Sequence, residues 1–383
     1  MVRASLGLLL AAGLITPPLA AQSPTKTLQI YYVDTEGGQA TLFVAPSGES
    51  LLVDTGNPGT RDTERIMLAL DDAGVKQLDH LVLTHYHGDH IGGLAELSKR
   101  IPIKRFYDHG PTAEGDQAGS QGFHEAYEQS RAGATRTIVK PGDKVLIPGL
   151  DITFVSSAGE VLKTNLPGAG RPNPLCADFA EKDLSKVFDP DNSYSAGFVL
   201  TFGEFRTIDL GDLTWNHEGR LACPTNRIGT VDLYLTTHHG INQSSAPALV
   251  HALRPRVAIM NNGTRKGGAV ETFQTLESSP GFEDLWQLHW SYNVMMDHNA
   301  PGVFVANIDD NATIANLLTA PPPPPRGAGA PGAQAGAGGG RGGGRGNAPP
   351  PHTPAYWIKV TAQQNGTFTV LNTRNGFSKT YRK

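Results

Sequence analysis

The stretch LTHYHGDH, residues 83–90, ends an apolar run with three histidines and an aspartate inside six positions. His85, His87, Asp89 and His90 are donors that Zn, Mn or Fe bind in their neutral or anionic forms. A purely structural loop rarely needs them. The fold must therefore stop the preceding strand, LDHLVLT (78–84), at an edge and present the next loop to a shared site.

The flanking sequence supplies a layered frame. LQIYYVD (28–34), ATLFVA (40–45) and SLLVDTG (50–56) are short β-rich runs parted by Gly, Pro or Ser, which predicts an antiparallel opening. The period then changes. TRDTERIMLALDDAG (60–74) sets Ile66, Leu68 and Leu70 among charges and stops at Gly74, the pattern of an amphipathic helix. IGGLAELSKR (91–100) also reads as helix, so the histidine cluster falls in a strand-to-helix loop. Further strands are expected at 151–157, 196–202, 205–211, 231–237, 256–262 and 301–309, with helices near 121–132, 245–253 and 270–278. Strands first, then strands alternating with helices, predict an α/β architecture with sheets inside and helices outside.

Other segments break this rhythm. Residues 1–21 read as a secretory signal peptide: Arg3, an apolar stretch from Leu6 to Ile15, then small residues at Ala20 and Ala21. The stretch is shorter than the roughly 20 residues a membrane span needs. A secreted or periplasmic protein is expected, with no membrane span in its mature chain. Residues 22–319 form the main domain, in which 158–194 are too long and too rich in Pro and Gly for an ordinary connection. That insertion reads as a lid or as a surface elaboration. Residues 320–354 are a low-complexity Pro/Gly linker whose Arg326, Arg341 and Arg345 are few for an RGG-type segment. Residues 355–383 read as a β-hairpin turning at Asn365-Gly366. A lone hairpin is marginal in water, so docking on the main domain is expected.

Composition removes other classes. Lys and Arg number 32 against 36 Asp and Glu, a net charge of -4, which gives no general pull toward nucleic acid or anionic membrane. No stable nucleic-acid complex is expected. Only Cys176 and Cys223 occur, so a multi-disulfide scaffold is excluded and at most one bridge can form.

Two metal ions need more ligands than one loop offers, and the chain has them. IDLGDL (208–213) places Asp212 just past a strand, and LTTHHGINQSS (235–245) places His238 and His239 past another. A GD pair alone is an ordinary turn, and a histidine pair alone is a surface feature. Their joint occurrence in this order points to a metal site.

HxHxDH after a strand, preceded by LLVDTG and followed by LGD and HHG, resembles the metallo-β-lactamase superfamily over about residues 28–265. The spacing is most similar to the branch containing the soluble domain of the competence protein ComEC and secreted phosphorylcholine esterases. The resemblance implies a four-layer αββα fold and two divalent metal ions, Zn ahead of Mn. It implies that His85, His87 and Asp212 hold one ion, and that Asp89, His90, His239 and the shared Asp212 hold the other. Asp54 would brace the cluster, because ligating imidazoles commonly need an acceptor on their other nitrogen. His238 is then free to contact an oxyanion or assist proton transfer, unless the two adjacent histidines exchange roles. Asp89, His238 and Asp54 carry the catalytic assignments.

Departures from the family pattern narrow the reading. DPDNSYSAGFVL (189–200) carries Asp191, Asn192 and Ser193 where many relatives have another histidine ligand, which implies that one metal is open or weakly held. Gln39 replaces the aspartate of the competence pattern GQGDS, and TRKGGA (264–269) lacks its GHP. His109, Asn242 and Lys266 are candidate substrate contacts. An exported hydrolase of a small or polymeric phosphate ester is expected. The alternatives are a metallo-hydrolase of a lactone, thioester or β-lactam, and a non-catalytic exported metal-binding module.

Overall fold

The computed structural model describes residues 27–115, 118–184, 190–294, 298–308 and 355–383; the expected signal peptide and linker lie outside the described residues. Side-chain alternation sets the layers. In β1 (Leu28–Tyr32), Leu28, Ile30 and Tyr32 enter one apolar cluster while Tyr31 enters another. Along β2 (Thr41–Val44) and β3 (Ser50–Val53), Phe43, Leu51 and Val53 join the first cluster, and Leu42, Val44 and Leu52 the second. This is the period of two that a strand buried on both faces requires.

The first sheet begins antiparallel through β1, β2 and β3 and continues parallel through β4 (His80–Val82), β5 (Arg105–Asp108) and β6 (Thr135–Ile138). Its outer face is covered by α1 (Thr60–Asp72), α2 (Gly88–Ile91), α3 (Leu94–Leu97) and α4 (Ala118–Ser130), which contribute Ile66, Leu70, Ile91, Leu94, Leu97 and Tyr127. The second sheet repeats the plan. β7 (Lys144–Ile147), β8 (Leu150–Phe154), β9 (Phe198–Phe202) and β10 (Phe205–Asp209) pair antiparallel. β11 (Leu233–Leu235), β12 (Val257–Met260), β13 (Asp284–His289) and β14 (Val305–Asn307) then follow in parallel. α5 (Trp215–Ala222), α6 (Pro247–Leu253) and α7 (Val270–Glu277) cover its outer face through Leu221, Leu249, Phe273 and Leu276. Between the sheets, Ile30 and Val53 meet Phe198, Leu200 and Trp286 in one core. The result is the four-layer αββα arrangement.

The C-terminal segment adds three strands, one more than a hairpin. β15 (Ile358–Ala362) pairs antiparallel with β1, Leu28 opposite Ala362, and β16 (Phe368–Asn372) and β17 (Ser378–Tyr381) extend the sheet outward. Ile358, Val360, Phe368, Val370 and Tyr381 enter the inter-sheet core. Trp286 Nε1 donates to Tyr381 Oη at 2.9 Å, which ties the segment to the opposite sheet.

Part of the insertion is fastened down. Cys176 and Cys223 form a disulfide, and Lys182 Nζ sits 3.4 Å from the centre of the Trp215 ring. Gly219, inside α5, makes room for Phe179: an added Cβ there would meet the ring at 2.0 Å.

Candidate metal centre

The parallel strands of both sheets deliver their carboxyl ends to one edge, the general location of sites in α/β sheets. Asp54 follows β3, the His85–His90 loop follows β4, Asp212 follows β10, His238 and His239 follow β11, and Lys266 follows β12. Gly211, at φ +55°, precedes Asp212 because the turn runs against Thr84; a Cβ at Gly211 would stand 2.7 Å from Thr84 Cβ. Asp54, His238 and His239 also hold left-handed backbone, at φ 59°, 56° and 54°. Non-glycine residues tolerate this at a cost of about 1–3 kcal/mol each, and it concentrates at working sites.

Asp89, His90, Asp212 and His239 each place a ligand atom within 4.8 Å of the others. His90 Nε2 lies 3.3 Å from Asp212 Oδ2 and 3.4 Å from Asp89 Oδ2. His239 Nε2 lies 3.3 Å from Asp89 Oδ2 and 3.4 Å from Asp212 Oδ1. On the other side, His85 Nε2 is 3.9 Å from Asp212 Oδ2 and 3.0 Å from His87 Nδ1. Asp212 thus stands between the two expected ligand sets. His238 Nε2 also approaches Asp212 Oδ2, at 3.2 Å.

The electrostatics fit a cation. Burial opposes protonation of His90, yet Asp212, Asp89 and Asp54 outweigh it and hold its pKa well above the ordinary histidine value. Burial likewise opposes ionisation of Asp212, but His238, His90 and His239 bring its pKa well below the carboxylate range. Buried carboxylates need paired positive charge. Asp212 Oδ1 is buried and receives no hydrogen bond from the described residues, so its lone pairs are available to a metal. Burial, with the neighbouring His90 and His87, keeps the His85 pKa well below its usual value, which leaves the neutral, ligating form.

Asp54 braces this cluster from beneath. Its carboxylate accepts from Thr84 N at 2.8 Å and Thr84 Oγ1 at 2.7 Å, and meets His90 Nδ1 at 2.7 Å. His90 Nε2 therefore faces Asp89 and Asp212.

The candidate substrate contacts divide. His109 is buried, with Nε2 3.3 Å from Asp191 and its ring 4.6 Å from that of Tyr86. Asn242 lies at the rim, where its carbonyl accepts from Lys182 Nζ at 2.6 Å. Lys266 reaches into the site and pairs with Asp89. Gln39 is buried and donates to both oxygens of Asp209, at 3.0 and 2.8 Å. Burial, aided by the nearby Asp54 charge, pushes the Asp209 carboxyl up to about 6. A second group, Asp34, Glu36 and His289, is compact enough for a metal, but Arg65 already bonds both carboxylates, at 2.8 and 3.0 Å, and offsets one of their two charges. Sequence reasoning passed over Glu114, whose carboxylate meets His87 Nε2 at 2.8 Å.

The superfamily model for metallo-beta-lactamases matches residues 34–260, more than half of the chain, and the protein belongs to that superfamily of metallo-hydrolases. Within it, Recombination protein 2 of Haemophilus influenzae is 25% identical over 266 residues, covering 69% of this chain and 27% of that protein. Thioesterase pkgB of Emericella nidulans is 30% identical over 109 residues, 28% of this chain and 30% of that enzyme. Lactamase-like protein GME11357 of Pestalotiopsis microspora is 38% identical over 65 residues, 17% of this chain and 20% of that one. The matches thus span less than a third of each of these relatives. Among solved structures, the metallo-beta-lactamase fold protein YhfI from Bacillus subtilis superposes with a TM-score of 0.42 at 13% identity, over 68% of this chain and 96% of that one.

Proposed function

We propose that the protein is an exported dinuclear metal hydrolase of phosphate esters, with phosphodiesters favoured over monoesters. The observation that carries the reading is the convergence of five donors, four from the loop after β4 and one from the turn after β11, around one buried carboxylate, Asp212. His85, His87 and Asp212 would hold one ion; Asp89, His90, His239 and Asp212 would hold the other. When bound, such ions supply a hydroxide at neutral pH and positive charge for the anion that develops.

The side chains divide the remaining work. Asp54 and Thr84 orient the imidazoles. His238, whose pKa burial pushes down to about 3, is neutral at pH 7 and offers a proton site beside Asp212. Lys266 lends a cationic edge suited to an anionic substrate. Asp191 occupies the segment where many relatives have a further histidine, and its oxygens accept from Tyr86 N, Thr112 Oγ1 and Ala113 N, so it is committed to the scaffold. Among the described residues, no helix is long and apolar enough to cross a membrane.

Hydrolysis of bis(p-nitrophenyl) phosphate by protein stripped with chelator, then reloaded separately with Zn or Mn, tests the proposal. Turnover restored by metal in the wild type, with both metal binding and turnover lost in Asp212→Ala, is expected. Activity retained in that variant would remove the bridging role. The thioesterase relative favours a carbonyl substrate as the second reading, and hydrolysis of an acyl thioester with an inert phosphodiester would select it. No metal-dependent turnover of either substrate would favour a binding module.

A further inference from the structure

Glu114 lies outside every motif that suggested the site, in the loop after β5. That loop is held by one buried carboxylate. Asp191 Oδ1 accepts from Thr112 Oγ1 at 2.9 Å and Ala113 N at 2.6 Å, while Asp191 Oδ2 accepts from Tyr86 N, between the two histidines of HxH, at 2.8 Å. Tyr86 Oη donates back to the Gly110 carbonyl at 2.8 Å, and Glu114 N donates to Thr112 Oγ1 at 3.1 Å. The β5 loop and the HxH loop are thereby locked in register. Glu114 follows directly on the anchored Ala113.

Its Oε1 stands 2.8 Å from His87 Nε2, and the other ring nitrogen, Nδ1, faces His85 Nε2 at 3.0 Å. A carboxylate accepts and does not donate, so this contact requires the proton of His87 on Nε2. Nδ1 is then left with its lone pair directed toward the place where the His85 lone pair also points. The side chains of His87 and Glu114 are 19% and 9% exposed, so solvent weakens the contact only in part.

We infer that Glu114 is a positioning residue for the metal centre, setting the tautomer and ring orientation of His87, and that Asp191 is the hub that places it. The inference rests on the reading that His87 is a metal ligand. It gives the chain a carboxylate–histidine–metal arrangement on a different histidine from the one Asp54 braces.

The test is metal affinity of the full chain, measured by competition with a chromophoric chelator, with the visible spectrum of the Co-loaded protein as a second readout. In Glu114→Ala, one ion should bind about 10–100-fold more weakly while the other is unchanged, and the Co spectrum should alter. Glu114→Gln retains an acceptor oxygen and should recover much of the affinity, while Glu114→Leu, which fills similar space with no acceptor, should not; loss of packing alone would not explain that difference. Wild-type affinity for both ions in Glu114→Ala overturns the inference. If Asp212→Ala still loses metal in that case, the proposed function stands without it; a wild type that binds no metal overturns both.

Discussion

Replacing Asp54 by asparagine preserves the shape of the brace and reverses half of its polarity. Asparagine tolerates the left-handed backbone that Asp54 adopts at φ 59°, so conformational strain does not confuse the result. The aspartate accepts from three donors: Thr84 N, Thr84 Oγ1 and His90 Nδ1. An asparagine whose oxygen stays on Thr84 N turns its amide N–H toward the other two. The Thr84 hydroxyl can rotate so that its oxygen accepts from that N–H. His90 cannot rotate, and must move its proton from Nδ1 to Nε2, the nitrogen that faces Asp89 and Asp212. That removes the ligating lone pair. The expected loss is about 10–100-fold in affinity for one ion, equivalent to about 1.4–2.8 kcal/mol. Metal-free protein should melt lower than wild type, because Asp54 is one of three carboxylates that hold the proton on buried His90. Chelator competition and a melting curve on the stripped protein read the two effects separately. Asp54→Asn with unchanged metal affinity would refute the tautomer argument.

Two further outcomes test other parts of the molecule. Glu218 is buried and its carboxyl is pushed up to about 7 by desolvation, against hydrogen bonds such as that from Ala246 N. Its folded form therefore holds a proton that the unfolded chain releases near 4.5, so its contribution to stability falls as pH rises from about 4.5 to 7. Glu218→Gln should gain in melting temperature relative to wild type as pH is raised across that window, and a constant difference from pH 5 to 8 would count against the assignment. Phe368 is fully buried between Phe205 and Tyr381, with ring centres 5.3 and 4.9 Å away. Phe368→Ala should lower unfolding free energy by about 3–5 kcal/mol in urea titration; a change under about 1 kcal/mol would show that the tail is not part of the core.

The candidate metal donors were legible because each is a polar residue placed abruptly after an apolar strand, and strand ends in such a frame gather at one edge. What the sequence concealed has a common cause: it depends on tertiary neighbours. Glu114 and Asp191 carry no periodic or motif signal, and their roles appear only once the β5 loop meets Tyr86. Nothing in FYDHGP reveals that His109 will pair with Asp191. The strand β6, TRTI, is mostly exposed at a sheet edge and has little apolar alternation. The helix α5 escaped notice because Gly219 weakens its local propensity, a cost taken on so that Phe179 can approach. The tail turn at Asn365-Gly366 was readable, whereas the third strand, SKTY, owes its place to Lys379 and Tyr381 reaching Asp284 of the other sheet.

The pairing of β1 with β15 also carries a consequence in time. β1 is made long before one of its two neighbours, which lies beyond the low-complexity stretch, hundreds of residues later. Until then its free edge is a template open to any extended chain, including a second copy of the same protein. The affinity of β15 for that edge is thus a contest against self-association as well as a source of stability. Dilution and rapid release of the tail should favour the correct closure.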